Sequence, residues 1–107
     1  MSFFDTARDV RLEDGHMLRA SLQRVDGEWQ DAEINLNDHI GNDNGRFCWD
    51  SNGFSGSSEG IWCSIEGDGP VCVLRGRLRN ADGELCECDL NLSERLGNND
   101  GNFQWGK

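Results

Sequence analysis

The sequence predicts a mostly β protein. One domain over residues 1–107 is built from two tandem repeats, about 1–50 and 51–107, related by a pseudo-twofold axis and interrupted by short helical turns. Three observations predict it. Leu18 to Trp49 aligns with Leu74 to Trp105 at a constant offset of 56, over 32 positions without a gap, and 13 of those positions are identical. Apolar and polar residues alternate on both sides of an Asp-Gly dipeptide in each copy. Two copies are fewer than the roughly three stacked units that a solenoid needs. Each copy is also too short to bury a core of its own, so the two must cover one another.

The elements follow in order. Phe3, Thr6 and Val10 match Phe54, Ser57 and Ile61, so the second copy carries an insertion, Glu66-Gly67-Asp68-Gly69-Pro70, that reads as a longer hairpin loop. Leu18, Ala20 and Leu22 alternate with Arg19, Ser21 and Gln23, and Leu74, Gly76 and Leu78 with Arg75, Arg77 and Arg79, the period of half-buried strands with the arginines outward. Turns at Asp26-Gly27 and Asp82-Gly83 lead into second strands, Gln30-Ala32-Ile34-Leu36 and Cys86-Cys88-Leu90-Leu92 on their inward parity. Each then enters a single helical turn, with Asn37 or Ser93 expected as N-cap and Gly41 or Gly97 as the residue that ends it. A Gly-rich turn and a Phe-x-Trp strand close each copy, with Trp49 and Trp105 expected in the core.

Composition narrows the function. Twenty acidic against ten basic residues give a formal charge of −10, which repels nucleic acid and anionic membrane surfaces. No apolar run approaches the roughly 20 residues that span a bilayer. The start, MSFFDTARDV, lacks the basic flank and apolar stretch of a secretory signal, so the sequence reads as cytoplasmic. Asn91-Leu92-Ser93 fits a glycosylation acceptor pattern but falls at a strand end, without a signal to bring it to the machinery.

The residue patterns offer no catalytic constellation and call for no cofactor. His39 and Cys48 correspond to Arg95 and Gln104 in the other copy, so that pair is not a repeated unit. Cys63 and Cys72 with Cys86 and Cys88 match no standard zinc spacing. GNDNG and GNNDG lack the Glu that an EF-hand loop places six residues after its Gly. The chain is therefore expected to bind rather than to catalyse, and to hold no metal.

The run LNDHIGNDNGRFCW, repeated as LNLSERLGNNDGNFQW, together with the FxxTA opening and the later FxxSS segment, resembles the cyanovirin-N homologue family over essentially the whole chain. The resemblance implies an elongated β fold in which each pseudo-symmetric half mixes segments of both repeats. It also implies a non-enzymatic, metal-independent lectin with one carbohydrate pocket near each far end and α1,2-linked mannose as usual ligand. The implied partners are mannose-containing oligosaccharides or glycoproteins, and the implied state is a monomer, with a half-swapped dimer as the alternative.

Carried over residue by residue, the first pocket would use Ser2, Asp5 and Thr6, then Gln23, Arg24 and Val25, then Asn98, Asn99 and Asp100. The second would use Gly41, Asn42 and Asn44, then Asn52, Gly53, Gly56 and Ser57, then Arg79, Asn80, Ala81 and Gly83. Planar groups that accept and donate to neighbouring hydroxyls suit sugar recognition. Glycine or alanine replaces several such groups in the second set, so the pocket near the termini is expected to be the competent one and the other weaker or lost. Alanine at Asp100 or Asn98 is accordingly expected to weaken binding while leaving the fold intact. The competing reading is a β module that keeps the fold for protein interaction or structure and does not bind sugar.

The positions where the family often carries its disulfides hold Ala7 with Leu22 and Ser58 with Leu78, so those bridges cannot form. A Cys63–Cys72 bridge across the inserted hairpin is geometrically possible, with Cys86 and Cys88 on the core face of the next strand, and buried free thiols are favoured.

Overall fold

Both Asp-Gly dipeptides close hairpins through a left-handed glycine. In Arg24–Glu28 the Gly27 amide donates to the Arg24 carbonyl at 2.9 Å and the Arg24 amide to the Glu28 carbonyl at 2.7 Å. Gly27 sits at φ 89°, a value that side chains with a Cβ rarely adopt. Asn80–Glu84 repeats this arrangement with Gly83 at φ 82°. The result is a three-residue loop that reverses the chain with the twist that paired strands require.

The computed structural model describes residues 6–66 and 71–106. Around those turns stand two three-stranded antiparallel sheets: β1 (Ala7–Glu13), β2 (Met17–Gln23) and β3 (Trp29–Asn35), and β6 (Ser58–Glu66), β7 (Val71–Arg79) and β8 (Leu85–Asn91). Two hairpins complete the fold: β4 (Ile40–Asn42) with β5 (Phe47–Trp49), and β9 (Leu96–Asn99) with β10 (Asn102–Trp105). The duplicated register is visible in the pairing itself. Ala7 faces Leu22 where Ser58 faces Leu78, and a bulge between Arg8 and Arg11 recurs between Glu59 and Trp62.

The hairpins are exchanged between repeats. β10 packs against β3, and β5 packs against β8, so each half combines the sheet of one repeat with the hairpin of the other. One core joins them: Leu18, Leu22, Leu36 and Ile40 with their counterparts Leu74, Leu78, Leu92 and Leu96, each no more than 1% exposed. The described residues extend 50 × 27 × 24 Å, an elongated body with a turn cluster at each end. These features bear out the mostly β, pseudo-twofold fold.

Three local expectations are corrected. The helical turns are 3-10 segments, Leu36–Asp38 and Leu92–Glu94, capped by Asn35 and Asn91, whose side chains accept from the amides of Asn37 and Ser93. Asn37 and Ser93 are therefore inside the turns, not their caps. His39 and Arg95 end them, and Gly41 and Gly97 belong to β4 and β9. A further 3-10 turn, Phe54–Ser57, buries Phe54.

Trp49 and Trp105 are half-buried rather than core. Being equivalent, they touch where the pseudo-twofold axis passes, with ring centroids 5.2 Å apart at 61°. His39 stacks on Trp105 at 4.4 Å, and the equivalent Arg95 lies over Trp49 at 4.9 Å while pairing with Asp50 at 3.3 Å. An aromatic face attracts either partner, which is why His and Arg substitute here.

All five cysteines are free thiols. Cys63 pairs in register with Leu74 and Cys72 with Ile65, so the two cysteines are diagonal neighbours, and the Cys72 thiol donates to the Cys63 sulfur at 3.5 Å. That hydrogen bond favours the Cys63 thiolate and lowers its pKa. The same bond, with burial, pushes Cys72 up. Burial also raises Cys88, which lies against the core beside Cys86 on β8.

Candidate functional site

Each far end of the molecule is closed by one asparagine. In β9, Asn98 sends both hydrogens of its amide nitrogen across to the other repeat, one to the Thr6 hydroxyl and one to the Gln23 carbonyl, each at 2.8 Å. Its oxygen accepts from the Gly101 amide at 2.8 Å. At the opposite end Asn42 repeats the clasp, donating to the Ser57 hydroxyl and the Arg79 carbonyl at 2.8 Å and accepting from the Gly45 amide at 2.7 Å. Two of the three bonds at the first tip reach across the sequence, over 92 and 75 residues, and the third holds the local turn to the same side chain.

The turn beyond each clasp needs left-handed backbone at two successive residues. Asp100 at φ 50° and Gly101 at φ 88° form it at the first tip, and Asn44 at φ 50° and Gly45 at φ 91° at the second. Asn and Asp tolerate that region best among residues with a Cβ. A Cβ on Gly101 would stand 2.7 Å from Cγ of Arg24, so the turn is seated against the Arg24–Glu28 hairpin. Asp100 reaches the same hairpin, its carboxylate accepting from the Val25 amide at 2.9 Å. Asn44 does likewise to the Ala81 amide at 2.8 Å.

The two tips then differ in chemistry. At the first, the Gln30 amide donates to the Gly101 carbonyl at 3.0 Å and to Asn102 at 3.2 Å, a second tie that the sequence analysis did not single out. Its signal was a polar residue on the inward parity of β3. At the second tip the equivalent position is Cys86, packed under Gly45 without such a donor. Asp100 carries a charge where Asn44 is neutral, and its second carboxylate oxygen has no partner among the described residues. Val25 stands 89% exposed beside it.

The structure thus gathers Thr6, Gln23, Arg24, Val25, Asn98, Asn99 and Asp100 at one tip. Ser2 and Asp5 lie outside the described residues. At the other tip it gathers Asn42, Asn44, Ser57, Arg79, Asn80, Ala81 and Gly83. There Asn80 spends its oxygen on the amides of Asp82 and Glu84, 3.0 Å each, and Arg79 bonds the Gly83 carbonyl at 3.1 Å. Gly41 and Asn52 approach one another, Gly53 donates to the Asn37 carbonyl at 2.8 Å, and Gly56 donates to Gly53, so this segment is organised around the first 3-10 turn rather than around Asn42.

Asn98 is accordingly part of the frame, with both donors spent. Its replacement is therefore expected to cost stability as well as binding, and Asp100 is the cleaner probe of binding. Among the described residues, no group of three or more His, Cys, Asp or Glu is arranged to hold a metal ion.

Comparison with known proteins agrees with this architecture. The CVNH domain family model matches residues 3–104. A cyanovirin-N homolog from Neurospora crassa is 42% identical, the match covering 97% of each chain. The NMR structure of the CVNH of Gibberella zeae superposes with TM-score 0.91 at 39% identity, over 98% of this chain and 97% of that one. Microvirin, solved in complex with mannobiose, superposes with TM-score 0.83 at 28% identity, over 98% of both chains. With the fold, the duplicated clasp and these relatives in agreement, the chain belongs to the cyanovirin-N homologue family.

Proposed function

We propose that this protein is a carbohydrate-binding lectin for mannose-type oligosaccharides, α1,2-linked mannose in particular, that it catalyses no reaction, and that the tip bearing Thr6, Gln23, Arg24, Val25 and Asp100 is its competent site. The observation that carries the sugar class is the mannobiose complex of microvirin, a protein of the same fold over 98% of both chains. The choice of tip rests on chemistry. A carboxylate accepts from two neighbouring hydroxyls at once, as a pyranose presents them, whereas a carboxamide offers one acceptor. Among the described residues Asp100 has an oxygen to spare after bonding Val25, and Gln30 fixes the turn that carries it. At the other tip Asn44 is neutral and Asn80 is turned to its own backbone.

Asp100→Ala is expected to weaken mannobiose binding about tenfold or more, equivalent to about 1.4 kcal/mol, by titration calorimetry. The same titration with Asn44→Ala is expected to match the unsubstituted chain. The reverse pattern would place the competent site at the Asn42 tip, and no heat from the unsubstituted chain would favour a module whose fold serves protein contacts.

A further inference from the structure

The outer face of β6–β7–β8 holds a cavity of about 540 Å³, within the size range of small-ligand sites and larger than the 130 Å³ hollow on the outer face of β1–β2–β3. Trp62 forms one wall, 53% exposed in the middle of a strand where packing does not require it. The bulge that places it there, with Gly60 at φ 64°, exists in both repeats, but the first repeat puts Arg11 at the equivalent position. Bulges recur beside functional sites because they re-aim a side chain.

The rest of the lining is set by register. Trp62 pairs with Arg75, which pairs with Asp89, and Arg77 pairs with Glu87 in the adjoining row. Arg75 reaches Asp89 at 3.1 Å. Two guanidinium groups and two carboxylates sum to no net charge, so the cavity favours neither an anion nor a cation. It offers fork-shaped donors, paired acceptors and one open aromatic face. A neutral pyranose matches all three, with its C–H face on the indole and its hydroxyls bridging the charged groups. On the other sheet the corresponding Arg19 is drawn to Glu13 at 2.7 Å and Glu33 at 3.0 Å, and the position of Glu13 is taken by Ser64 in the second repeat.

We propose that this face is a third carbohydrate-binding site, for neutral oligosaccharides, with Trp62 as stacking platform and Arg75, Glu87 and Asp89 as hydroxyl partners. Its lining on β7 ends at Arg77, two residues or roughly 7 Å from Arg79 at strand spacing, and shares no residue with either tip. It does not rest on the proposed mannose site, because a chain with silent tips still carries it.

The test is a titration of ¹⁵N-labelled protein with mannobiose and, separately, with the tetramer of N-acetylglucosamine, following the Trp62 indole N–H and the amides of Gly60 and Gly76. A saturable shift of these signals with at least one sugar is expected. The shift of the Gly60 and Gly76 amides should disappear in Trp62→Ala and weaken at least tenfold in Trp62→Leu, which keeps an apolar side chain but no aromatic face. The amides of Thr6 and Val25 should respond in both variants as in the unsubstituted chain. Signals at Trp62, Gly60 and Gly76 that stay still or drift without saturating, while Thr6 and Val25 respond, would overturn the third site and leave the tip reading standing. Saturation at Trp62 with silent tip amides would do the opposite.

Discussion

Asn98→Ala is expected to lower the stability of the folded protein by about 2–4 kcal/mol, because it removes three hydrogen bonds worth about 1 kcal/mol each and strands their partners. The Gln23 carbonyl, the Thr6 hydroxyl and the Gly101 amide all lose Asn98 as partner. For a domain of this length that corresponds to a fall in melting temperature on the order of 10–25 °C, read by calorimetry or circular dichroism. Asn42→Ala should act similarly at the other tip, since its bonds are the same in number and length to within 0.1 Å. A loss below about 0.5 kcal/mol in both would show that neither clasp holds its tip. The comparison with Asp100→Ala then separates frame from site: Asp100 gives up a single exposed hydrogen bond and should cost little stability.

The second large effect is expected at Phe54. Its side chain is fully buried, meets Phe47 edge-on at 5.6 Å, and sits on a 3-10 turn in contact with β4, β6 and β7. Phe54→Ala should destabilise by about 3–5 kcal/mol, the sum of lost transfer energy and an unfilled cavity. Against a total of roughly 5–15 kcal/mol that is enough to leave the protein marginal. Because Leu18 and Leu22 share one core with Leu74 and Leu78, the loss should appear as one earlier cooperative transition. Two resolved transitions in thermal unfolding, one insensitive to Phe54, would contradict the single shared core.

Much of this was legible in the sequence, for a definite reason. A gapless repeat transmits its register, so the Leu18/Leu74 and Leu22/Leu78 pairs and the Asp-Gly hairpins appear where alternation and turn chemistry place them, while the inserted loop falls largely outside the described residues. What escaped was local hydrogen bonding. Asn35 and Asn91 are identical in the two copies, and that identity marks the true caps, but Asn37 and Ser93 satisfy the same capping preference two residues later. Gln30 sits on the inward parity of its strand, and only the position of Gly101, brought in from the other repeat, shows what its amide is for. Trp49 and Trp105 have the size and apolarity of core residues. Their place at the twofold contact depends on two copies meeting, which no single repeat encodes.

The candidate site divides in the same way. The family resemblance pointed to the Asn, Asp and Gly positions, and turn chemistry accounts for their residue types, but neither gave the division of labour among them. Asn98 and Asp100 are two residues apart and similar in composition, yet among the described residues one is saturated by the fold and the other retains an acceptor. That difference follows from backbone conformation: the left-handed turn at Asp100 and Gly101 carries the Asp100 carboxylate past the clasp to the Val25 amide.

The most direct test of the central claim is a titration of ¹⁵N-labelled protein with α1,2-linked mannobiose, followed through backbone amide shifts. Saturable changes clustered at Thr6, Gln23, Val25, Asn99 and Asp100, with smaller or no changes at Asn42, Asn44 and Ala81, are the predicted result. No response at millimolar sugar at either tip would contradict it.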